Sequence, residues 1–386
     1  MKKNILIIGP YLPGKEYGGP VKSLLNLVER LSDDYNFYVI TNDRDLNAVK
    51  PYTDVQIGSW NTVGKAKVYY IPQGKEFSSV KSLLKEQDFD LIYISSFFSK
   101  LSVFVLWLKR LNYTKEPVIV APRGEFSKGA LSIKTDKKKL YINIFKFINL
   151  HKKITFTCTS NSDKQDIINL FGSQVKVNIA GNIVNSDIDP FTYPINKKSG
   201  QLRIATVSRI SRIKNLDFSL QILREVDKSD QKFNEIVFDI YGPLEDKEYW
   251  KECLIISEDL SDRVKVNYKG ALSYTEVPKV LSLYHTFLFP TKGENFGHVI
   301  QESLLSGCPV ITSDQTPWKN LNELGIGFDI PLDMQFKFID AISHYLYMDN
   351  DNYKLVSKKA YEYGKYKVDN QLALKEHINM FNNVLR

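Results

Sequence analysis

TKGENFGHVIQESLLSGCPVI, Thr291 to Ile311, follows the β-rich run Thr286 to Pro290 and leads into another, Pro309 to Ser313. A strand, a glycine-bearing loop, a helix beginning near Phe296 and a new strand follow one another without a spacer, and the same alternation runs along the whole chain. Strands are predicted at Asn4 to Ile8, Asn36 to Thr41, Leu91 to Ile94, Val118 to Ala121 and Thr155 to Thr159, then at Leu202 to Val207, Ile236 to Tyr241 and Val264 to Asn267. Helical patterns between them argue for parallel sheets covered by helices. Two sets of about five strands imply two doubly wound α/β units. Asn185 to Gly200 lacks periodicity and carries Pro190 and Pro194, which marks a linker over residues 186–200. The expected domains are therefore 1–185 and 201–365, with a last helix, about 366–386, returning to the first. The chain end reads as two helices, Asn352 to Tyr363 and Asp369 to Leu385, broken at Gly364.

The 386 residues suit two such domains, and a composition of 43% apolar, 12% aromatic and 25% charged residues excludes a disordered chain or a collagen. The net charge of +8 is one-sided: residues 1–190 hold 27 Lys and Arg against 18 Asp and Glu, and residues 191–386 hold 25 against 26. Cys158, Cys253 and Cys308 lie far apart, so neither a disulfide framework nor a zinc ribbon is indicated. The apolar runs Ile5 to Ile8 and Leu101 to Leu108 fall short of a signal-peptide core and of the ~20 residues that span a bilayer. A cytoplasmic location, at most peripheral on the inner face of a membrane, is expected.

Three loops carry candidate chemistry. GPYLPGKEYGGP joins the first strand to a helix, with Gly18 and Gly19 allowing close backbone approach and Pro20 suiting the first turn. Such a helix start presents N–H groups to an anion. In VSRISRIKN, after the strand Leu202 to Val207, Arg209 and Lys214 can clamp a diphosphate, with Arg212 between them as an alternative ligand. In the Thr291 to Ile311 stretch, Glu294 precedes the helix and Glu302 lies two turns inside it, both able to accept hydrogen bonds from a diol.

These elements occur together and in order. ENFGHVIQE, the RISRIKN loop, the IYGP turn at Ile240 to Pro243 and SGCPVITSDQTPW at Ser306 to Trp318 resemble the retaining glycosyltransferases of the GT-B fold, family 4. The resemblance covers nearly the whole chain and is strongest from Leu202 to Trp318. It implies two Rossmann-like domains facing each other across a cleft, the second holding a nucleotide sugar, UDP before GDP, and the first presenting a saccharide or lipid-linked acceptor. It also implies roles: Arg209 and Lys214 for the diphosphate, Glu302 for the ribose, Glu294 for the donor sugar. The amides of Phe296, Gly297, His298 and Val299 complete the anion site, Tyr241 to Pro243 with Gly242 shape the nucleotide wall, and Gly18 and Gly19 approach the phosphates. Fixed cations and helix termini that stabilise charge growing on a diphosphate take the place of a metal. Asp88-Phe89-Asp90 and Asp187-Ile188-Asp189 have no metal-site context, so no cofactor and metal-independent transfer are expected.

Relatives place a His after a Pro at the end of a first-domain strand, whereas here APRGEF puts Arg123 there. Arg stays charged at neutral pH and cannot act as a base. It steadies the diphosphate, the donor sugar or an anionic acceptor, or else pairs with Glu125. KTDKKKLYINIFKFINLHKK, Lys134 to Lys153, reads as a basic amphipathic helix: Leu140, Tyr141, Ile144, Phe147 and Ile148 gather on one side, and Lys138, Lys139, Lys146 and Lys153 opposite. Its apolar face is expected in the core and its lysines toward solvent or an anionic membrane. No nucleic-acid motif occurs. The expected function is retaining hexosyl transfer in cell-surface polysaccharide synthesis. The alternatives are a GT-B epimerase or phosphorylase, or a silent sugar-nucleotide-binding protein.

Overall fold

The structure, a computed structural model, describes all residues except 1, 15, 16, 47, 128, 129, 132–134, 185–190, 192–194, 231, 370 and 386. Most of the expected linker, including Pro190, Pro194 and Asp187-Ile188-Asp189, lies outside the described residues, as does Lys134. The chain divides into two compact units, Met1–Asn185 with Asn370–Arg386, and Ser186–Asp369.

In the first unit, β1 (Lys3–Ile8), β2 (Tyr35–Asn42), β3 (Trp60–Val63), β4 (Ala66–Ile71), β5 (Leu91–Ser95), β6 (Val118–Ala121), β7 (Thr155–Cys158) and β8 (Lys176–Ile179) form one sheet in the order β3-β4-β2-β1-β5-β6-β7-β8. Only β3 runs antiparallel to its neighbour. α1 (Gly19–Leu31), α2 (Glu76–Glu86), α3 (Lys100–Arg110), α4 (Thr135–Phe147) and α5 (Asn161–Phe171) cover it. Ile5 and Ile7 pack toward α1 while Leu6 and Ile8 enter the opposite core with α2 to α5. Burial on both faces is why the strands read as unbroken apolar runs.

The second unit is parallel throughout: β9 (Gln201–Val207), β10 (Glu235–Tyr241), β11 (Val264–Gly270), β12 (Thr286–Phe289), β13 (Val310–Ser313) and β14 (Gly327–Ile330), in the order β11-β10-β9-β12-β13-β14. α6 (Leu216–Ser229), α7 (Lys247–Glu258), α8 (Val277–Leu281), α9 (His298–Leu305), α10 (Gln335–Tyr347) and α11 (Asn350–Asp369) complete it. Strand order reverses between β9 and β12, and the carboxyl ends at such a reversal are where open α/β sheets hold ligands. α12 (Leu372–Leu385) packs in the first unit, with Met380 and Phe381 buried beside α1.

Three expectations need correction. Strands β3, β4, β8 and β14 were not predicted: all but β4 are four-residue strands, and none of those three is fully buried, so their apolar signal is short. Gly364 does not break a helix, because α11 runs through it; a Cβ there would lie 2.9 Å from the Leu305 nitrogen, so glycine lets α11 cross the end of α9 closely. The faces of α4 are also rearranged. Ile142 and Phe145 are buried, whereas Leu140 is 62%, Ile144 39% and Phe147 86% exposed. Lys138 turns inward, donating to the Ala130 carbonyl at 2.6 Å with its ammonium 5.3 Å from the Phe98 ring centre. The helix is apolar around most of its circumference, and tertiary packing chose the narrower side.

Candidate functional site

Two loops of the second unit, both at carboxyl ends of strands flanking the reversal, are tied together by their backbones. The Ile213 carbonyl, in the loop after β9, accepts from the Lys292 N–H at 2.8 Å and from the Thr291 hydroxyl at 3.1 Å. Asn215, left-handed at φ 60° before α6, donates from its amide to the Pro290 carbonyl at 3.0 Å. This bracing brings Lys214 to Glu294: their charged atoms are 2.6 Å apart, both side chains are largely shielded, and the ammonium lies 5.3 Å from the Phe289 ring centre. A cation and a carboxylate read from two separate loops thus form one charged pair.

Around it, the start of α9 is held rigidly. Gly297 is left-handed at φ 77°, and no side chain caps the first turn, so the N–H groups of His298 and Val299 head the helix. The Trp318 indole donates to the Phe296 carbonyl at 2.6 Å, and the Phe296 ring lies 4.7 Å from that of His298, centre to centre. The helix therefore begins two residues later than the sequence suggested. Glu302 is buried on α9 at 8% exposure. Arg209 pairs with Glu245 at 2.7 Å. Arg212 turns to α7, gripping Glu252 through both terminal nitrogens and lying over Tyr249.

The wall after β10 is a backbone joint. The Ser208 N–H donates to the Tyr241 carbonyl and the Ile210 N–H to the Pro243 carbonyl, each at 2.9 Å. A Cβ on Gly242, at φ 136°, would sit 1.7 Å from the Ser208 oxygen, so only glycine permits the crossing. Tyr284 bonds both the Tyr241 hydroxyl and Asp239 beneath it.

Residues 188–360 match the family model described as glycosyl transferases group 1. Nearly the whole second unit is thus similar to that family. A protein from Klebsiella pneumoniae, described as an uncharacterized 41.2 kDa protein in the cps region, is 27% identical over 64% of this chain and 68% of its own length. Sucrose-phosphate synthase from Thermosynechococcus elongatus superposes with a TM-score of 0.70 at 16% identity, covering 99% of both chains. The Anabaena HepE protein, solved with UDP and glucose, gives 0.66 at 15% identity over 98% of both. The fold is GT-B, with two Rossmann-like parallel-sheet units.

Within this unit, sequence reasoning missed Ile213, Asn215, Thr291 and Trp318 as bracing. All four stood inside quoted stretches, but they act through a carbonyl, a short amide, a hydroxyl and an indole N–H whose partners no spacing advertises. In the first unit, Gly18 is left-handed at φ 64° and α1 starts at Gly19 with Pro20 in its first turn. Arg123, itself left-handed at φ 53° just after β6, donates to Asn182 Oδ1 at 3.0 Å and Tyr93 Oη at 3.3 Å. It does not pair with Glu125, which accepts from the Ser96 hydroxyl at 2.6 Å and the Phe97 N–H at 2.5 Å and whose carboxyl pKa burial pushes up. Asp88 and Asp90 stand at the amino end of the sheet, where Asp90 binds Lys3 at 2.7 Å and the Asn4 N–H. Among the described residues no group of three His, Cys, Asp or Glu side chains is placed to hold a metal.

Proposed function

We propose that the protein transfers a hexosyl group, with retention, from a nucleotide sugar to a saccharide or lipid-linked saccharide in cell-surface polysaccharide synthesis, and that it does so without a metal. The observation that carries this is the braced pair Lys214–Glu294 beside the uncapped start of α9. As the sugar–phosphate bond breaks, negative charge grows on the diphosphate. Lys214, Arg209 and the N–H groups of His298 and Val299 stabilise it without reorganising, because backbone bonds already hold them. Glu294 takes the donor sugar hydroxyls, Glu302 the ribose, and Gly242 leaves room for the base. The bound UDP of HepE and the cps-region setting of the Klebsiella relative support a UDP-sugar donor and a polysaccharide product; GDP is the next choice.

The test is a thermal-shift panel of nucleotide sugars. A ligand at 100 times its Kd stabilises by about 2.7 kcal/mol, and Glu302→Ala is expected to abolish the shift. An unchanged shift removes Glu302 from the ribose role. Turnover is expected to persist in EDTA, and a complete loss that Mg²⁺ restores overturns the metal-free reading. Donor consumption without any acceptor turns the assignment toward an epimerase.

Arg123 fits an anionic acceptor. Its partners among the described residues are neutral, so its charge is uncompensated until an anion arrives. The exposed Leu140, Ile144 and Phe147, flanked by exposed Lys137, Lys139 and Lys146, support peripheral docking on an anionic membrane. No helix among the described residues is long and apolar enough to cross one.

A further inference from the structure

A groove of about 510 Å³ lies at the outer edge of the first unit, between the β3–β4 hairpin and α2. That volume lies within the ~300–1,000 Å³ usual for small-molecule sites. On one side stand Trp60 and Tyr69, directly paired across the two strands, their ring centres 5.5 Å apart and edge to face. Tyr38 backs Trp60 at 5.5 Å, so the indole is held on both sides and cannot easily fold away. On the other side stand Ser78, Ser82 and Glu86, four residues apart along one stripe of α2, with Ser79 beside them. The Ser82 hydroxyl donates to Glu86, and Ser78 donates to the Lys75 carbonyl at 3.0 Å, so the oxygens are oriented and retain lone pairs toward the groove.

Three serines in one short helix cost about 0.5 kcal/mol each relative to alanine. None of them occupies the helix cap, which is Lys75 and makes no side-chain capping bond. No lysine or arginine is among the described residues lining the groove, although this half of the sequence carries the basic excess. An anion is therefore a poor occupant. Aromatic side chains on one wall, with hydroxyls and one carboxylate on the other, match a pyranose chain, whose C–H groups pack on rings while its hydroxyls bond oxygen.

We propose that this groove binds a neutral saccharide segment, as a subsite separate from the loops of the second unit. Its occupant is an uncharged stretch of glycan held by Trp60 and Tyr69 on one side and by the serine stripe with Glu86 on the other.

The experiment measures binding of a neutral gluco-tetrasaccharide and of a galacturonic acid tetrasaccharide to the full chain, by calorimetry and saturation-transfer NMR. No nucleotide is present, so the result is independent of the donor assignment, which the thermal-shift panel reads separately. The neutral sugar is expected to bind and the acidic one to bind at least tenfold more weakly. A double substitution, Ser79→Leu with Ser82→Leu, fills the groove at solvent-facing positions of a helix that leucine favours, and is expected to weaken neutral binding at least tenfold with the circular dichroism unchanged. Glu86→Gln is expected to weaken it several-fold. Absence of neutral binding, a preference for the acidic sugar, or neutral binding that survives the filled groove overturns the proposal.

Discussion

The cations singled out in the two units are held in opposite ways. In the second, every cation of the loop after β9 meets a carboxylate: Lys214 has Glu294, Arg209 has Glu245 and Arg212 has Glu252. In the first, the hydrogen-bond partners of Arg123 among the described residues are the neutral Asn182 and Tyr93, and Lys139 and Lys146 of α4 are exposed. A compensated cation is held in place before its ligand arrives and gains selectively when new charge develops beside it. An uncompensated one attracts any anion. On the proposed function, the comparison separates groups that serve the reaction from groups that serve recruitment.

Truncating Lys214 breaks this comparison at its strongest point. Lys214→Ala is expected to lower kcat/KM by roughly 10²–10³, as loss of one pre-positioned electrostatic group does elsewhere. Glu294, left without its cation, aggravates the loss. Arg123→Gln removes recruitment only, so steady-state kinetics are expected to show a raised KM for the acceptor with kcat nearly unchanged. Equal losses in kcat for both variants remove the distinction.

The glycines sharpen it for stability. Gly242→Ala drives a Cβ into the Ser208 carbonyl, which backbone on both sides keeps from moving, and is expected to cost ~3 kcal/mol or more in urea unfolding. Gly9→Ala in the first unit meets the end of the Leu24 side chain at 2.9 Å and Ser95 Cβ at 3.0 Å, so a cost of about 1–2 kcal/mol is expected. Equal costs at the two sites, or a larger one at Gly9, contradict the view that the second-unit loops are the more rigidly interlocked.

How much of this was legible beforehand follows from the same interlocking. The strands buried on both faces, β1, β5 and β6 among them, announce themselves as apolar runs, whereas β3, β8 and β14 are short and half-covered. Lys214 and Glu294 were visible as residue types, but their pairing depends on the Ile213 and Pro290 carbonyls, which every residue possesses and no sequence distinguishes. The wheel of α4 placed Tyr141 and Ile148 against the core but missed Ile142 and Phe145, because a helix apolar through most of its turn is oriented by its neighbours. Phe97, Tyr141, Phe145 and Phe171 cluster where Ile142 and Phe145 enter.

His377 in the first unit and His285 in the second are both buried neutral histidines, and acid should find them both. Burial lowers the pKa of His377 in α12 to about 4, with Arg123 adding to the effect against a hydrogen bond to the Ala373 carbonyl. Burial lowers His285 before β12 to about 4 as well, helped by Lys197. An unfolded histidine titrates near 6.5, so between about 6.5 and 4 the unfolded chain binds more protons than the folded one. The stability these residues contribute is complete above pH ~6.5 and is lost as pH falls toward 4, by up to roughly 3 kcal/mol each. Urea midpoints measured from pH 7.5 to 4.5 are expected to fall steeply in the parent and less steeply in His377→Asn. Parallel curves for the two proteins would show that His377 does not titrate with unfolding.

The smallest effects belong to the recruiting surface. On the proposed membrane docking, Lys139 and Lys146 are each expected to add about 1 kcal/mol of attraction to an anionic bilayer, a contribution that salt removes, and Phe147 to contribute by burial that salt leaves in place. Flotation with phosphatidylglycerol vesicles should therefore separate them. Lys139→Ser with Lys146→Ser is expected to weaken binding at low salt roughly thirtyfold and to have little effect at 0.5 M, while Phe147→Ser weakens it at both. Lys138→Ser should do neither, because that ammonium is already committed to Ala130 and Phe98. Equal partitioning onto neutral and anionic vesicles would discard the membrane, and the exposed Leu140, Ile144 and Phe147 would then need another partner.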